Sequence, residues 1–412
     1  MRKLGVSVYM LIKIVRYITL LIVISIGTSC VIENNSLKYF PFKKFNSQYE
    51  ILDLVEQIEA LPIEETSNSL LPLIWKLNEY ESKYFVWSLH HSDILCVDST
   101  GKYLFRISSG DGPNTWNGIT NYFMDDKVGK IYIADNSKGI FVYDINDRKI
   151  EKLIAHQDFY PFAVGSDGEY LYVVTNNFDQ KGFVWVFDLK NYALKSKFIS
   201  SPLYTNLFLS INPFSEFNGS LKLNLSYNET IFECKNGIVN EMMILGSASN
   251  RLSTYSNQVI NSLHQKAQES HRLFYHLPEI VEKVIPEGKC VDTDRYLFSL
   301  VNTNGDLNLF ILDKNTGEYR YVTRSAFING KELLYSFYNM TILNYKDGNY
   351  YFNLLLKNNA QILLNTYLKK NPQKLEKFQN FKLIVDSLSK TGFENPIIVK
   401  CKMNFAKLFE SE

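Results

Sequence analysis

Side chains able to ligate a metal or act as nucleophiles are few in this 412-residue chain: five cysteines and six histidines, thinly spread. Cys30, Cys96, Cys234, Cys290 and Cys401 contain no C-x-x-C pair, the spacing that lets two thiolates share a zinc ion or a disulfide-exchange cycle. Cys96, Cys234 and Cys401 stand in apolar, strand-like runs, where a free cysteine behaves as a small hydrophobe. His90 and His91 are adjacent and would point to opposite faces of a strand. His264, His271 and His276 are spaced by seven and five, not by the four that sets two imidazoles on one helical face. Asp125-Asp126 offers carboxylates suited to calcium, but neighbours in a strand diverge, so the pair is expected in a solvated turn. The sequence has no G-x-S-x-G, no H-E-x-x-H and no P-loop, and Gly110-Asp-Gly112 lacks the third glycine of a dinucleotide loop. These residues therefore point to no catalytic centre, metal or cofactor. A site assembled from distant segments would leave no such motif.

One cysteine has a distinctive context. Lys13 and Arg16 precede the apolar run Tyr17 to Ile26, which leads through Gly27-Thr28-Ser29 to Cys30. A basic region, a hydrophobic region, small residues and a cysteine in this order resemble a bacterial lipoprotein signal, with Gly27 where an aliphatic residue is usual. Cys30 is then the lipid-attachment residue, carrying two or three acyl chains, enough for stable anchoring where one chain is marginal. A transmembrane helix fits less well. Ten residues span about 15 Å against a hydrocarbon core of about 30 Å, and extension toward Leu4 would place Lys13 and Arg16 near the middle. The expected organisation is a signal peptide over 1–29, a lipidated tether over 30–47 and a folded domain over 48–412; Met10 to Cys30 alone is also a signal of ordinary length. Removing residues 1–29 lowers Lys+Arg from 44 to 40 against 43 Asp+Glu, a net charge of −3. That balance argues against a nucleic-acid partner, which would need a basic surface.

The elements that must position any site are repeated hairpins. Lys138-Gly-Ile-Phe-Val-Tyr-Asp144 and Lys181-Gly-Phe-Val-Trp-Val-Phe-Asp188 are near copies, each preceded by an alternating strand, Lys130 to Asp135 and Glu169 to Thr175. The acidic residue ending each unit recurs after 46, 44 and 45 residues, through Asp98, Asp144, Asp188 and Glu233, and returns at Asp313 after 80. Four short strands with their turns need about 40 to 50 residues, the size of one propeller blade. A sixth hairpin is expected from Tyr350 to Leu356 and Gln361 to Tyr367. Asp167-Gly168, Asn304-Gly305 and Asp347-Gly348 supply the positive φ that tight hairpins require. The fold class is therefore all-β, a six-bladed propeller of four-stranded antiparallel blades. Tyr 27 and Phe 28 suit strands whose faces pack between blades, and Trp87, Trp116 and Trp185 are expected in that core rather than stacked on a sugar. An insert over about 250–288 shows helical spacing at Val259, Ile260, Leu263 and Ala267, and again at Leu277, Ile280, Val281 and Val284. A second amphipathic stretch runs from Leu375 to Leu388 before Gly392.

The motifs Ile58 to Glu65, Gly101 to Ile107, Gly110 to Pro113, Asn228 to Glu233, Leu312 to Gly317 and Glu394 to Val399 occur in the order seen in six-bladed propeller lipoproteins of Bacteroidota. The chain resembles that family, of largely uncharacterised function and of NHL- or TolB-like architecture. The resemblance implies that the late strand, Pro396 to Met403, joins the N-terminal strands to close the ring. It also implies an outer-membrane-anchored envelope lipoprotein that binds or scaffolds a glycan, peptide or protein partner. The alternative is a propeller enzyme, a sialidase-like hydrolase or a metal-dependent lactonase. Ser109-x-Asp111-x-Pro113-x-Thr115-Trp116 resembles a sialidase Asp box and Phe105-Arg-Ile107 the start of the arginine motif. The two abut, whereas in sialidases they lie well apart.

Overall fold

The computed structural model describes residues 37–43, 51–88, 92–108, 115–155, 159–175, 184–198, 212–247, 249, 251–252, 255–270, 277–323, 342–354 and 360–410. The alternating runs fold into six antiparallel sheets. Strands β1 (Lys38–Phe40) and β2 (Val55–Pro62) flank a single helical turn, α1 (Ile51–Leu54). Blade 1 is β3 (Lys76–Tyr80), β4 (Lys83–Trp87), β5 (Ile94–Asp98) and β6 (Tyr103–Ile107). Blade 2 is β7 (Asn121–Asp125), β8 (Lys130–Asp135), β9 (Gly139–Asp144) and β10 (Lys149–Ile154). Blade 3 is β11 (Pro161–Ser166), β12 (Tyr170–Thr175), β13 (Val184–Asp188) and β14 (Leu194–Phe198). Blade 4 is β15 (Phe214–Phe217), β16 (Ser220–Asn224), β17 (Thr230–Lys235) and β18 (Ile238–Leu245), with β1 as a fifth strand outside β18. After helix α2 (Asn257–Glu269), blade 5 is β19 (Ile285–Asp292), β20 (Tyr296–Thr303), β21 (Asp306–Asp313) and β22 (Tyr319–Thr323). Blade 6 is β23 (Asn344–Lys346), β24 (Asn349–Leu354) and, beyond helices α3 (Ala360–Lys370) and α4 (Leu375–Thr391), β25 (Ile397–Met403), with β2 outermost. The first strand of each blade meets its counterparts next door, so β3, β7, β11, β15, β19 and β23 line the axis.

The periodic acids have a local cause. Asp98, Asp144, Asp188 and Asp313 each end the third strand of a blade, and each carboxylate accepts a turn N–H two residues on, at 2.7–2.9 Å. This Asx arrangement fixes the turn before the outer strand. Blade 4 departs from it: its turn is Asn236-Gly237 at φ 55 and 76, and Glu233 instead accepts from Ser220 and Lys222. The glycine of the repeated phrase is also dictated by packing. Gly139 has φ 126, and a Cβ there would lie 2.2 Å from the Ile154 carbonyl oxygen.

The ring closes as expected. β25 pairs antiparallel with β24 on one side and β2 on the other, from Val55↔Met403 to Pro62↔Ile397, so first and last segments share blade 6, with the N-terminal strand β2 as its outermost strand. Helix α4 packs on β2 through Phe378, Phe381 and Val385 and ends at Gly392, φ 73. The C-terminal strand hairpin expected from Gln361 to Tyr367 is instead helix α3. Ala360, Leu364, Tyr367 and Leu368 are buried at offsets of four, seven and eight, a helical period inside an apolar run short enough to imitate a strand. Among the described residues the insert forms one helix, α2. In α2, Ile260, Leu263 and Ala267 are buried while Val259 faces solvent, and Leu277 to Val284 follow as tight turns with Leu277, Ile280 and Val284 buried. Residues 38–40, placed in the tether by sequence, form β1, and Phe40 is buried against Phe310 and Tyr319.

Candidate functional site

The first-to-second-strand hairpins of blades 2, 4 and 6 meet over the axis. Lys127 in blade 2 lies 4.0 Å from the Glu216 carboxylate in blade 4. Asp126 in blade 2 lies 3.8 Å from the Lys346 ammonium in blade 6. Phe217 in blade 4 and Tyr345 in blade 6 have ring centroids 5.8 Å apart. None of these blade pairs is adjacent in the ring, so the three hairpins cap one mouth of the channel. Turn chemistry makes the reach possible: Asn218-Gly219 and Asp347-Gly348 are two-residue turns with both residues at positive φ. The cap is tied to the flanking blades as well. Tyr345 donates to Asp294 at 2.6 Å, Lys346 to the Glu79 carbonyl at 2.9 Å, and the Asp292 N–H to Ser215 Oγ at 2.8 Å.

Beneath the cap is a cavity of about 290 Å³, lined by inner strands of five blades. Its deep end carries Lys76 and Asn78, alternate residues on one face of β3. Lys76 is 6% exposed, donates to Asn121 Oδ1 at 3.1 Å and sits 5.2 Å from the Tyr122 ring centroid. Among the described residues no carboxylate lies within ion-pair distance of it, and burial pushes its ammonium down to about 7. Asn78 Oδ1 is buried without a hydrogen-bond partner. Just below, the ladder of β19 is interrupted between Pro286 and Cys290, which frees Glu287 and Lys289 from regular pairing. Lys289 reaches from blade 5 toward the Trp75 ring of blade 1, 5.7 Å away, while Glu287 accepts from Asn302. Burial raises the Glu287 carboxyl and lowers the Lys289 ammonium.

The acids of the cap are also shifted by their surroundings. Burial raises Glu216, opposed by the Gly219 N–H and by Lys127, and raises Asp292 in spite of Lys314 at 2.8 Å. Exposed ion pairs contribute about 0–1 kcal/mol each and an aromatic pair about 0.5–1.5 kcal/mol, so the contacts across the axis hold the cap only weakly beside its hydrogen bonds to the flanking blades. Salt should loosen it. Raising ionic strength from about 0.1 to about 1 M shortens the screening length from about 10 to about 3 Å. Amide exchange at 126–129, 216–219 and 345–348 should then accelerate while the inner strands stay protected; a cap held by packing alone would exchange at an unchanged rate.

A model of a domain of unknown function, DUF4934, matches residues 39–402. The chain belongs to the DUF4934 family. The structure of this DUF4934 chain is similar to that of a protein of Bacteroides fragilis NCTC 9343 inferred to be exported, at 14% identity and TM-score 0.64, over 89% of this chain and 99% of that one. It is also similar to a member of the DUF4221 family from Bacteroides vulgatus, at 13% identity and TM-score 0.47, over 84% and 96%. No curated protein matches it.

In the DUF4934 propeller, most residues singled out by sequence fall away from the cavity. Trp87, Trp116 and Trp185 are buried in interblade cores. Cys96, Cys234 and Cys401 are buried in strands, as expected. Cys290 alone among these thiols lines the cavity, but burial pushes its pKa far up and it faces the Pro213 and Lys222 carbonyls, which is not the setting of a reactive thiolate. Asp125-Asp126 splits as the strand geometry requires: Asp126 is in the solvated turn, whereas Asp125 is buried at the end of β7 and its carboxyl is raised by that burial. Arg106 is on the outer strand of blade 1, paired with Asp93 at 3.0 Å and far in the fold from any central site. Cys30, His90, His91, Ser109, Gly110, Asp111, Gly112 and Pro113 lie outside the described residues. Among the described residues, no group of acids, cysteines and histidines has the geometry of a metal site, and no helix is long and apolar enough to cross a membrane.

Proposed function

We propose that this protein is a lipid-anchored component of the bacterial cell envelope that holds a small polar ligand, the end of a peptide or glycan, in the capped cavity of its propeller. The observation that carries the binding part is the cavity itself: five blades converge on it, it is near the lower size of ligand pockets, and charged side chains of both signs line it beneath a cap of three hairpin turns. A merely structural channel would be filled by apolar packing, as the interblade cores of this chain are. Anchoring rests on the sequence around Cys30, and an outer-membrane location on the family resemblance; the similar Bacteroides fragilis fold is in keeping with export. The cavity offers no nucleophile set beside a base, so binding without chemistry is the simplest use of it.

Two measurements test this. Cys30→Ala should move the protein from washed membranes to the soluble fraction; continued sedimentation would mean that something other than acyl chains holds it. The full chain, purified in detergent, should bind members of an array of glycans and envelope peptides with or without calcium. Lys76→Met, which removes the cation at the deep end of the cavity, should weaken any anionic hit. A blank array would overturn the binding reading.

A further inference from the structure

The charges of the cavity are sorted by depth. Among the described residues three lysines and five carboxylates line it, and the acids Glu79, Asp126, Glu216, Asp292 and Asp347 all stand at the cap end. Two of the lysines, Lys127 and Lys346, are there too, facing Glu216 and Asp126. The third, Lys76, is at the other end of β3, three residues or about 10 Å from Glu79, and has no counter-charge among the described residues. A buried cation without an anion is costly, and so is a buried acceptor without a donor. Lys76 and Asn78 Oδ1 present both in one cavity, two residues and about 7 Å apart. The complement is a ligand with an anionic end for Lys76 and an N–H donor for Asn78. Its outer end must be positive, because the acid excess near the cap opposes a simple anion.

We propose that the cavity takes a short zwitterionic peptide of about two residues, its carboxylate on Lys76, an N–H on Asn78 Oδ1 and its ammonium among the carboxylates of the cap. This rests on the binding role argued above and names the ligand for that same site. The size agrees: an extended dipeptide separates its charged ends by about two residue rises, long side chains at both ends span the rest of the roughly 10 Å from Lys76 to the cap acids, and a cavity of about 290 Å³ has no room for a long chain. Phe217 and Tyr345 in the cap add aromatic faces for the ammonium to approach.

The test is calorimetric titration of the full chain in detergent with a panel of dipeptides presented singly, followed by the N-acetyl and C-amide forms of the best binder, and by galacturonate and glucose. Losing a charge-assisted hydrogen bond weakens binding by roughly 10- to 150-fold, so each capped form should bind that much more weakly than the free dipeptide. In Lys76→Met the free acid and its amide should bind alike, with the preference for a free amine kept. Asp347→Asn, at an exposed hairpin tip, should weaken the preference for the free amine and leave that for the free acid. Equal binding of acid and amide to the natural protein would overturn the proposal, as would a preference for the acid that survives Lys76→Met. Binding of galacturonate with none by any dipeptide would also overturn it, yet leave the binding role standing. Only a blank with every peptide and glycan would remove both.

Discussion

Replacing Lys76 by methionine should stabilise the protein at neutral pH, and the gain should shrink as the pH rises. The cause is the mismatch between an ammonium with a pKa of 10.5 in the unfolded chain and about 7 in the folded one. Below about pH 7 both states hold the proton, and the folded state bears the full cost of a buried charge. Between 7 and 10.5 the unfolded chain binds a proton that the folded chain does not, so stability rises with pH through that window. From pH 7 to 9 this amounts to about 2 kcal/mol, at 1.36 kcal/mol per pH unit for a fully shifted group. The groups facing Lys76 do not reverse the sign: Asn121 is neutral, and burial keeps Tyr122 protonated well above the usual tyrosine range. Other buried tyrosines are raised as well, which costs stability only as unfolded tyrosines ionise near pH 10. Urea unfolding of both proteins at pH 7 and 9 measures the difference. Methionine has similar length and no charge, so Lys76→Met should lead by more at pH 7 than at 9, by about 2 kcal/mol. Parallel pH profiles would show that the Lys76 charge carries no such cost. A substitution that adds stability while removing ligand discrimination would mark Lys76 as a residue kept for function.

The sequence around Lys76 carries no mark of its burial. Lys76 opens a run, Lys-Leu-Asn-Glu-Tyr80, that reads as an ordinary half-polar strand start. Blade strands were legible because their causes are local. Alternation of side chains, an Asp that caps the turn after the third strand, and Asn-Gly or Asp-Gly at two-residue turns each act within a few residues. The ring closure through Pro396 to Met403 was implied by the family resemblance alone, and β25 does join β2. The cavity was not, because its parts come from five blades. The hairpins at 126, 217 and 346 occupy equivalent places in blades 2, 4 and 6, so the period locates them, but that they cross the axis to meet depends on three-dimensional reach. Helix α3 was misread for the opposite reason. Its apolar run is local, yet over seven residues a period of 2 and a period of 3.6 predict overlapping sets of buried positions.

The second large effect is expected at Asn395, a residue that the motif Glu394 to Val399 contains but does not explain. It is 1% exposed, just ahead of β25. Its Oδ1 accepts the Leu71 N–H at 2.9 Å, and its Nδ2 donates to the carbonyls of Ser69 at 2.9 Å and of Ile63 and Glu64 at 3.2 Å. Its own N–H donates to Glu65 at 2.8 Å. One side chain thus fastens the loop from β2 into blade 1 to the strand that closes the ring, across more than 320 residues of sequence. Asn395→Ala would leave the Leu71 N–H and the carbonyls of Ile63 and Ser69 buried without that partner, while the Glu64 carbonyl keeps Ser69 Oγ; at about 1–3 kcal/mol per stranded group, a loss of roughly 3–5 kcal/mol is expected. Asn395→Asp keeps the shape and the acceptor but sets a carboxylate against carbonyl oxygens, and should be no better. The location of the damage is the sharper readout. Because the ring is closed only where β2 meets β25, weakening this latch should free amide exchange in β2 and β25 before it reaches blades 2 and 3. If the loss of protection spread evenly over all six blades, the ring would be unfolding as one unit and Asn395 would be a core residue like any other, not the latch.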